Sequence, residues 1–230
     1  MASRSGGSLY SASLPEPSEP HAAPPHAPSS LERWAARLLL LAGACAALLT
    51  FRDYGITWDE WAQSRYGQLV LAYFRSGFRD TRCNEFRDLR FYGPLFEGLT
   101  AALSRTMEAP KPEVRHLAGA LTGLLTVYAT MRYGRVLTWR WAGLFSGAAL
   151  LLWPRFYGHS FNNSKDIPFA CACAFAMLAI ASYARSGRAA GAAARAGVAI
   201  GAALAVRAGG LFLLGYVPLA AWLFRRKTAS

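Results

Sequence analysis

The chain has 230 residues, of which 53% are hydrophobic and 17% charged, with a mean hydropathy of +0.19. Lys and Arg number 25 against 13 Asp and Glu, a formal charge of +12. A soluble domain carries about 25% charged residues, so this balance excludes an acidic disordered protein. The basic residues sit between apolar runs rather than on one stripe, which argues against a soluble nucleic-acid binder. The apolar blocks predict an integral membrane protein with an all-α, polytopic fold.

Residues 1–30 are rich in Ser, Pro, Ala and Gly and include His21 and His26. They offer too little apolar surface to offset the entropy of ordering, which predicts a disordered cytoplasmic tail. The tail has no apolar core between a basic start and a cleavage site, so the first apolar run, from Trp34, reads as an uncleaved anchor. Ser29 with Glu32 three residues on fits a capping box that opens this helix.

A spanning helix needs about 20 apolar residues. Six segments qualify: 34–51, 117–132, 136–153, 167–183, 190–206 and 208–224. The second is short, and the third carries Arg140, which can snorkel from a helix end. The last two are separated only by Arg207-Ala208-Gly209-Gly210, and they read either as two spans or as one broken helix. The positive-inside rule favours two. With the amino end inside, six crossings place Arg132, Arg135 and Arg140, then Arg185, Arg188 and Arg195, then Arg225, Arg226 and Lys227 on the cytoplasmic side. The expected organisation is a tail over 1–30, a transmembrane domain over 31–224 and a basic cytoplasmic end over 225–230.

Two outer loops follow from this topology, 52–116 and 154–166. The first is long, with mixed charge, and its stretches 61–74 and 95–107 have enough apolar residues for helices lying along the membrane surface. The four cysteines read as small apolar packing residues. Cys45, Cys171 and Cys173 lie in apolar runs, Cys83 stands alone in a polar stretch, and no metal-binding spacing is present.

Chemistry-bearing residues gather in the outer loops. Just beyond the first span comes Asp53-Tyr54-Gly55-Ile56-Thr57-Trp58-Asp59-Glu60. A carboxylate of the Asp59-Glu60 pair can accept a proton from an alcohol or hold a cation. The same residues also fit a helix start, with Thr57 as cap and two acids complementing the dipole. The second loop reads PRFYGHSFNNSKD and presents Arg155, His159, Asn162, Asn163, Lys165 and Asp166. Two cations with amide donors suit a phosphate or polyol. Asp166 before Ile167-Pro168 also reads as a helix cap. His159 suits a metal ligand or an interfacial hydrogen bond, and His116 has the second of these roles. Arg207 near the outer end of the fifth span fits a lipid headgroup or a specific phosphate.

Four stretches carry a family resemblance: TWDEWAQSRYGQ, RFYGPLFEGLTAAL, PRFYGHSFNNSKDIPFA and AVRAGGLFLL. Their order resembles the GT-C membrane glycosyltransferases, the family of the protein O-mannosyltransferases and the bacterial aminoarabinose and RgtA-type transferases. The resemblance implies a polyprenyl-phosphate-linked sugar as donor and a glycan, lipid or protein hydroxyl as acceptor. By position, Asp59 matches the proposed base with Glu60 beside it, and Asp166 matches the second-loop acid. Arg155, Lys165 and Arg207 become candidates for the donor phosphate, and His159, Asn162 and Asn163 for substrate contacts. Some members bind a divalent metal, for which this sequence offers no convincing ligand set. Members usually carry more spans, so the resemblance implies a short or truncated member, one that acts with a partner, or one that no longer catalyses.

The expected activity is an inverting transfer on the outer side of a membrane, with the Ala/Arg-rich composition pointing to a bacterial plasma membrane. A noncatalytic membrane subunit or scaffold is the alternative. A transporter fits less well, because the spans over 34–51 and 167–224 carry no acid between Ile167 and Phe224 or within the first.

Overall fold

The computed structural model describes residues 28–108, 111–137, 141–185 and 189–225. The tail up to residue 27, Arg140, Arg188 and the end of the basic terminus, Arg226 and Lys227, lie outside the described residues. All described secondary structure is helical. Nine α-helices occur in it: α1 Ser30–Thr50, α2 Glu60–Arg75, α3 Leu95–Thr106, α4 Lys111–Leu137, α5 Ala142–Leu151, α6 Pro154–Asn162, α7 Asp166–Arg185, α8 Ala190–Leu204 and α9 Phe212–Arg225. Short 3-10 turns cover Thr81–Glu85, Arg87–Phe91 and Ala208–Leu211.

The helices run back and forth between two ends of a bundle. At one end the start of α1 meets the end of α4, where Arg135 Nε lies 2.9 Å from the buried Glu32 carboxylate. Arg185 at the end of α7 donates to the Val136 carbonyl at 2.5 Å on the same side. At the other end, residues 57–63, 92–97, 163–166 and 205–207 converge, as described below. The central member is α4, packed against α1, α5, α6 and α7, while α8 and α9 both pack on α7.

The expected span over 136–153 is corrected. Val136 and Leu137 still belong to α4, and the helix that follows, α5, has only ten residues. It stops because Pro154 excludes the helical conformation from the residue before it, and Trp153 is extended. Pro154 then sits comfortably in the first turn of α6, so most of the expected loop 154–166 is helix. Together α5 and α6 run antiparallel along α4. Gly143 and Gly147 meet Met131 at one end, and Gly119 and Gly123 meet Ser160 at the other. Small residues here let the two backbones approach closely.

Ser29 accepts from the Glu32 amide at 3.1 Å, as the capping-box reading expects. The Glu32 carboxylate, however, is 1% exposed and is turned to Arg135. The stretches 61–74 and 95–106 are helical, as α2 and α3. Cys83, solitary in the sequence, is buried with Tyr66, Leu69, Val70 and Leu89 in a small core beside α2. Burial pushes its thiol above the usual cysteine value.

Two helices, Ser30–Thr50 and Asp166–Arg185, are long and apolar enough to cross a membrane. Large apolar side chains also point outward from the bundle: Leu38, Leu41 and Leu49 on α1, Phe145 on α5, Phe212 and Trp222 on α9. Gly123→Val should strain the contact of α4 with Ser160 by about 1–3 kcal/mol. A fall in the thermal midpoint of the detergent-solubilised protein would measure it.

Candidate functional site

The segment that carries α2 and α3 begins where α1 ends. Thr57 was a candidate cap for α2, but the roles are reversed. The Thr57 amide donates to Glu60 Oε2 at 3.2 Å, and its hydroxyl donates to Asp59 Oδ1 at 3.3 Å. Asp59 occupies the cap position of α2 without making a side-chain capping bond. The two adjacent acids therefore part company. Asp59 opens onto a cleft, whereas Glu60 is only 5% exposed and points inward.

Inside, Glu60 meets His116 Nε2 at 3.3 Å and Arg115 Nε at 3.6 Å. The Arg115 guanidinium, itself 5% exposed, is the hub of a polar cluster. It pairs with Glu97 on α3 and donates to Gln63 Oε1 on α2 at 3.1 Å and to Ser164 Oγ at 2.9 Å. Ser164 in turn donates to Glu97 Oε1 at 2.7 Å. His116 is the buried, hydrogen-bonded histidine that its position suggested, with Nδ1 3.3 Å from the Phe51 carbonyl.

Gln63 joins this cluster to the cleft. Its amide nitrogen donates to Asp59 Oδ2 at 2.6 Å, and Lys165 Nζ lies 3.2 Å from the same oxygen. Asp166 is paired with Arg207 at 2.8 Å. Lys165 and Arg207 both lie over the ring of Tyr92, at 5.3 and 5.4 Å, a cation–π arrangement. The backbone closes this corner: Gly93 and Leu95 donate to the carbonyls of Val206 and Ala205, both at 3.1 Å. A Cβ at position 93 would collide with the Ala205 carbonyl. Asp59, Asp166, Lys165 and Arg207 thus gather at one end of the bundle.

The cleft has a volume of about 650 Å³ and is lined by Tyr54, Asp59, Gln63, Arg155, His159 and Asn162, with Asn163, Lys165 and Asp166 at its side. Tyr54 stacks on Phe161 with ring centres 3.9 Å apart. Burial is the largest cause raising its phenol above the usual tyrosine value, so it remains a neutral donor at physiological pH. Arg155 and His159 are exposed to the cleft. Arg207 does not line it directly and reaches it through Asp166.

Asn163 is the true cap of α7, because its Oδ1 accepts from the Asp166 amide at 2.9 Å. Its Nδ2 donates to Asp166 Oδ2 at 2.9 Å and lies 3.3 Å from His159 Nδ1. The amide of Asn163 is thus committed to shaping the loop, and the Asp166 carboxylate is released from capping. The buried Asn162 Oδ1 has no hydrogen-bond partner among the described residues. Among the described residues, no three His, Cys, Asp or Glu side chains gather to hold a metal ion.

Sequence reasoning missed Gln63, Tyr92, Glu97, Arg115 and Ser164. A signal for part of this existed. Glu97, Thr100 and Ser104 recur on one helical face, and that polar face of α3 is its buried one. Removing the hub by Arg115→Met strands Glu60 and Glu97 and should cost roughly 3–5 kcal/mol. Arg79→Ala, on the exposed surface, should stay within about 0.5 kcal/mol. Thermal unfolding in detergent compares the two.

Comparison with protein-family models, curated proteins and solved structures finds no match for this chain, so a functional reading rests on the residues of the cleft.

Proposed function

We propose that this protein is a membrane glycosyltransferase of GT-C type, moving a sugar from a polyprenyl phosphate to an acceptor hydroxyl at the non-cytoplasmic membrane surface. The observation that carries the reading is the meeting of Asp59 with Lys165, Asp166, Arg155 and Arg207 in and beside one cleft. A noncatalytic scaffold has no need to bring these groups together from four separate chain segments.

The membrane topology proposed is six crossings with the amino end in the cytoplasm, one of them the paired helices α5 and α6. The outward apolar side chains of α1, α5 and α9 support burial in lipid. Arg132, Arg135 and Arg185 at the opposite end from the cleft support a cytoplasmic side there. A bacterial plasma membrane suits this arrangement.

In the transfer, the acceptor oxygen attacks the anomeric carbon while Asp59 takes its proton. The bond from that carbon to the phosphate oxygen breaks, and the electron pair leaves with the lipid phosphate, inverting the sugar. Gln63 and Lys165 both hold Asp59 Oδ2, which leaves Oδ1, touched among the described residues only by the Thr57 hydroxyl, to receive the proton. Three cations against two carboxylates favour an anion in this corner. Arg155, free of ion pairs among the described residues, supplies direct contact with the phosphate. Lys165 and Arg207 supplement it from the side. His159 and Asn162 face the sugar, and no step requires Glu60.

Purified protein supplied with polyprenyl-phosphate hexoses and a membrane extract as the source of acceptor hydroxyls should release polyprenyl phosphate. Asp59→Asn should slow release by roughly 10²–10⁴-fold, and Arg155→Gln should chiefly raise the KM for donor. Unchanged release from Asp59→Asn removes the reading. A reporter fused after residue 230 should be active on the cytoplasmic side, and a reporter active outside the cell removes the topology.

A further inference from the structure

A second concavity lies on the other side of α2 from the cleft, between α2, α3 and the start of α4. It has a volume of about 670 Å³. Leu71, Ala72 and Ala101 supply apolar walls, and Arg75, Arg105 and Lys111 stand around it. No carboxylate lines it, and these three exposed cations make no ion pair among the described residues. A neighbouring hollow of about 530 Å³ shares Ser64, Gln68, Lys111 and Arg115 with it and adds Arg65. Its Glu60 is engaged by Arg115 and His116. The two hollows therefore make one groove with an apolar floor and an unneutralised basic rim.

The adjoining helix is turned inside out for a water-exposed surface. α3 buries Glu97, Thr100 and Ser104 and exposes Leu95, Leu99 and Leu103, three residues four positions apart, with Met107 after them. Within the groove itself, the apolar walls of Leu71, Ala72 and Ala101 under a cationic rim match a molecule with a charged head and hydrocarbon tails. A soluble anion uses the rim and leaves those walls bare.

We infer that this groove binds an anionic phospholipid of the surrounding bilayer, with the phosphate against Arg75, Arg105 and Lys111 and an acyl chain over Leu71 and Ala101. This site is separate from the cleft and independent of the chemistry at Asp59. Bound lipid would hold the α2–α3 pair against the membrane surface and neutralise a rim that otherwise repels itself. The net charge of the head decides occupancy, because the rim has no acid to receive the ammonium of a zwitterionic lipid.

The test is native mass spectrometry of the full chain in a neutral detergent, titrated with phosphatidylglycerol or phosphatidylcholine. Phosphatidylglycerol should bind at least about five-fold more tightly, with roughly five-fold lost per cation removed. The variant Arg75→Gln/Arg105→Gln/Lys111→Gln should lose the preference. Ala101→Trp, which fills the groove and keeps every cation, should lose the lipid as well. Lys165→Met in the cleft should keep it, which separates this site from failure of the transferase reading. Equal binding of the two lipids, or binding that survives in either groove variant, overturns the inference. So does displacement by inorganic phosphate, which assigns the rim to a soluble anion, or by an equimolar polyprenyl phosphate, which assigns the groove to the donor.

Discussion

One buried guanidinium sets the geometry of the cleft end of the helical bundle. Arg115 enters from the first turns of α4 and is met by Glu60 and Gln63 of α2, Glu97 of α3 and Ser164 from the turn before α7. Burying a charge costs several kcal/mol unless partners replace its water, so each of these elements is held where the guanidinium needs it. The cluster sets two carboxylates against one arginine, with the His116 ring and the Gln63 and Ser164 side chains completing the hydrogen bonds. Its geometry is therefore stricter than apolar packing alone would impose. The α2–α3 segment owes its fixed position at this end of the bundle to this arrangement.

The cleft inherits its order from that cluster. Gln63 uses its oxygen for Arg115 and its nitrogen for Asp59, so the orientation of the amide is set from the interior and passed to the carboxylate at the surface. From the other side, Lys165 and Arg207 are spaced by the Tyr92 ring. Tyr92 is itself held where the backbone after it pairs with residues 205 and 206. Segments more than a hundred positions apart thus meet through a short chain of contacts. A preorganised group of this kind can act on charge without reorganising when charge develops.

Several residues changed role between sequence and structure, one through a distant partner and the others through neighbours in the chain. Glu32 fits a capping box, but Arg135 from a distant turn takes its carboxylate. Thr57 looks like a cap, yet Glu60 reaches back to the Thr57 amide. Asp166 precedes a proline as a helix cap would, and Asn163 does the capping three residues earlier. The apolar run over 136–153 has the length of a span, but Pro154 and the continuation of α4 through Leu137 divide it differently.

The amino-acid order alone was enough for what depends on periodicity and local chemistry. That covers the all-helical character, α1 and α7, the helices α2 and α3, and the clustering of acids and cations in two stretches, 53–60 and 154–166. Which of those charged groups share a cleft was decided by tertiary structure, because Asp59 and Lys165 are separated by 106 positions and local pattern carries no information over that distance. The burial of Glu60, Glu97 and Arg115 was decided there too. A charged side chain reads as solvated until a partner is found for it, and here every such partner comes from another helix or turn.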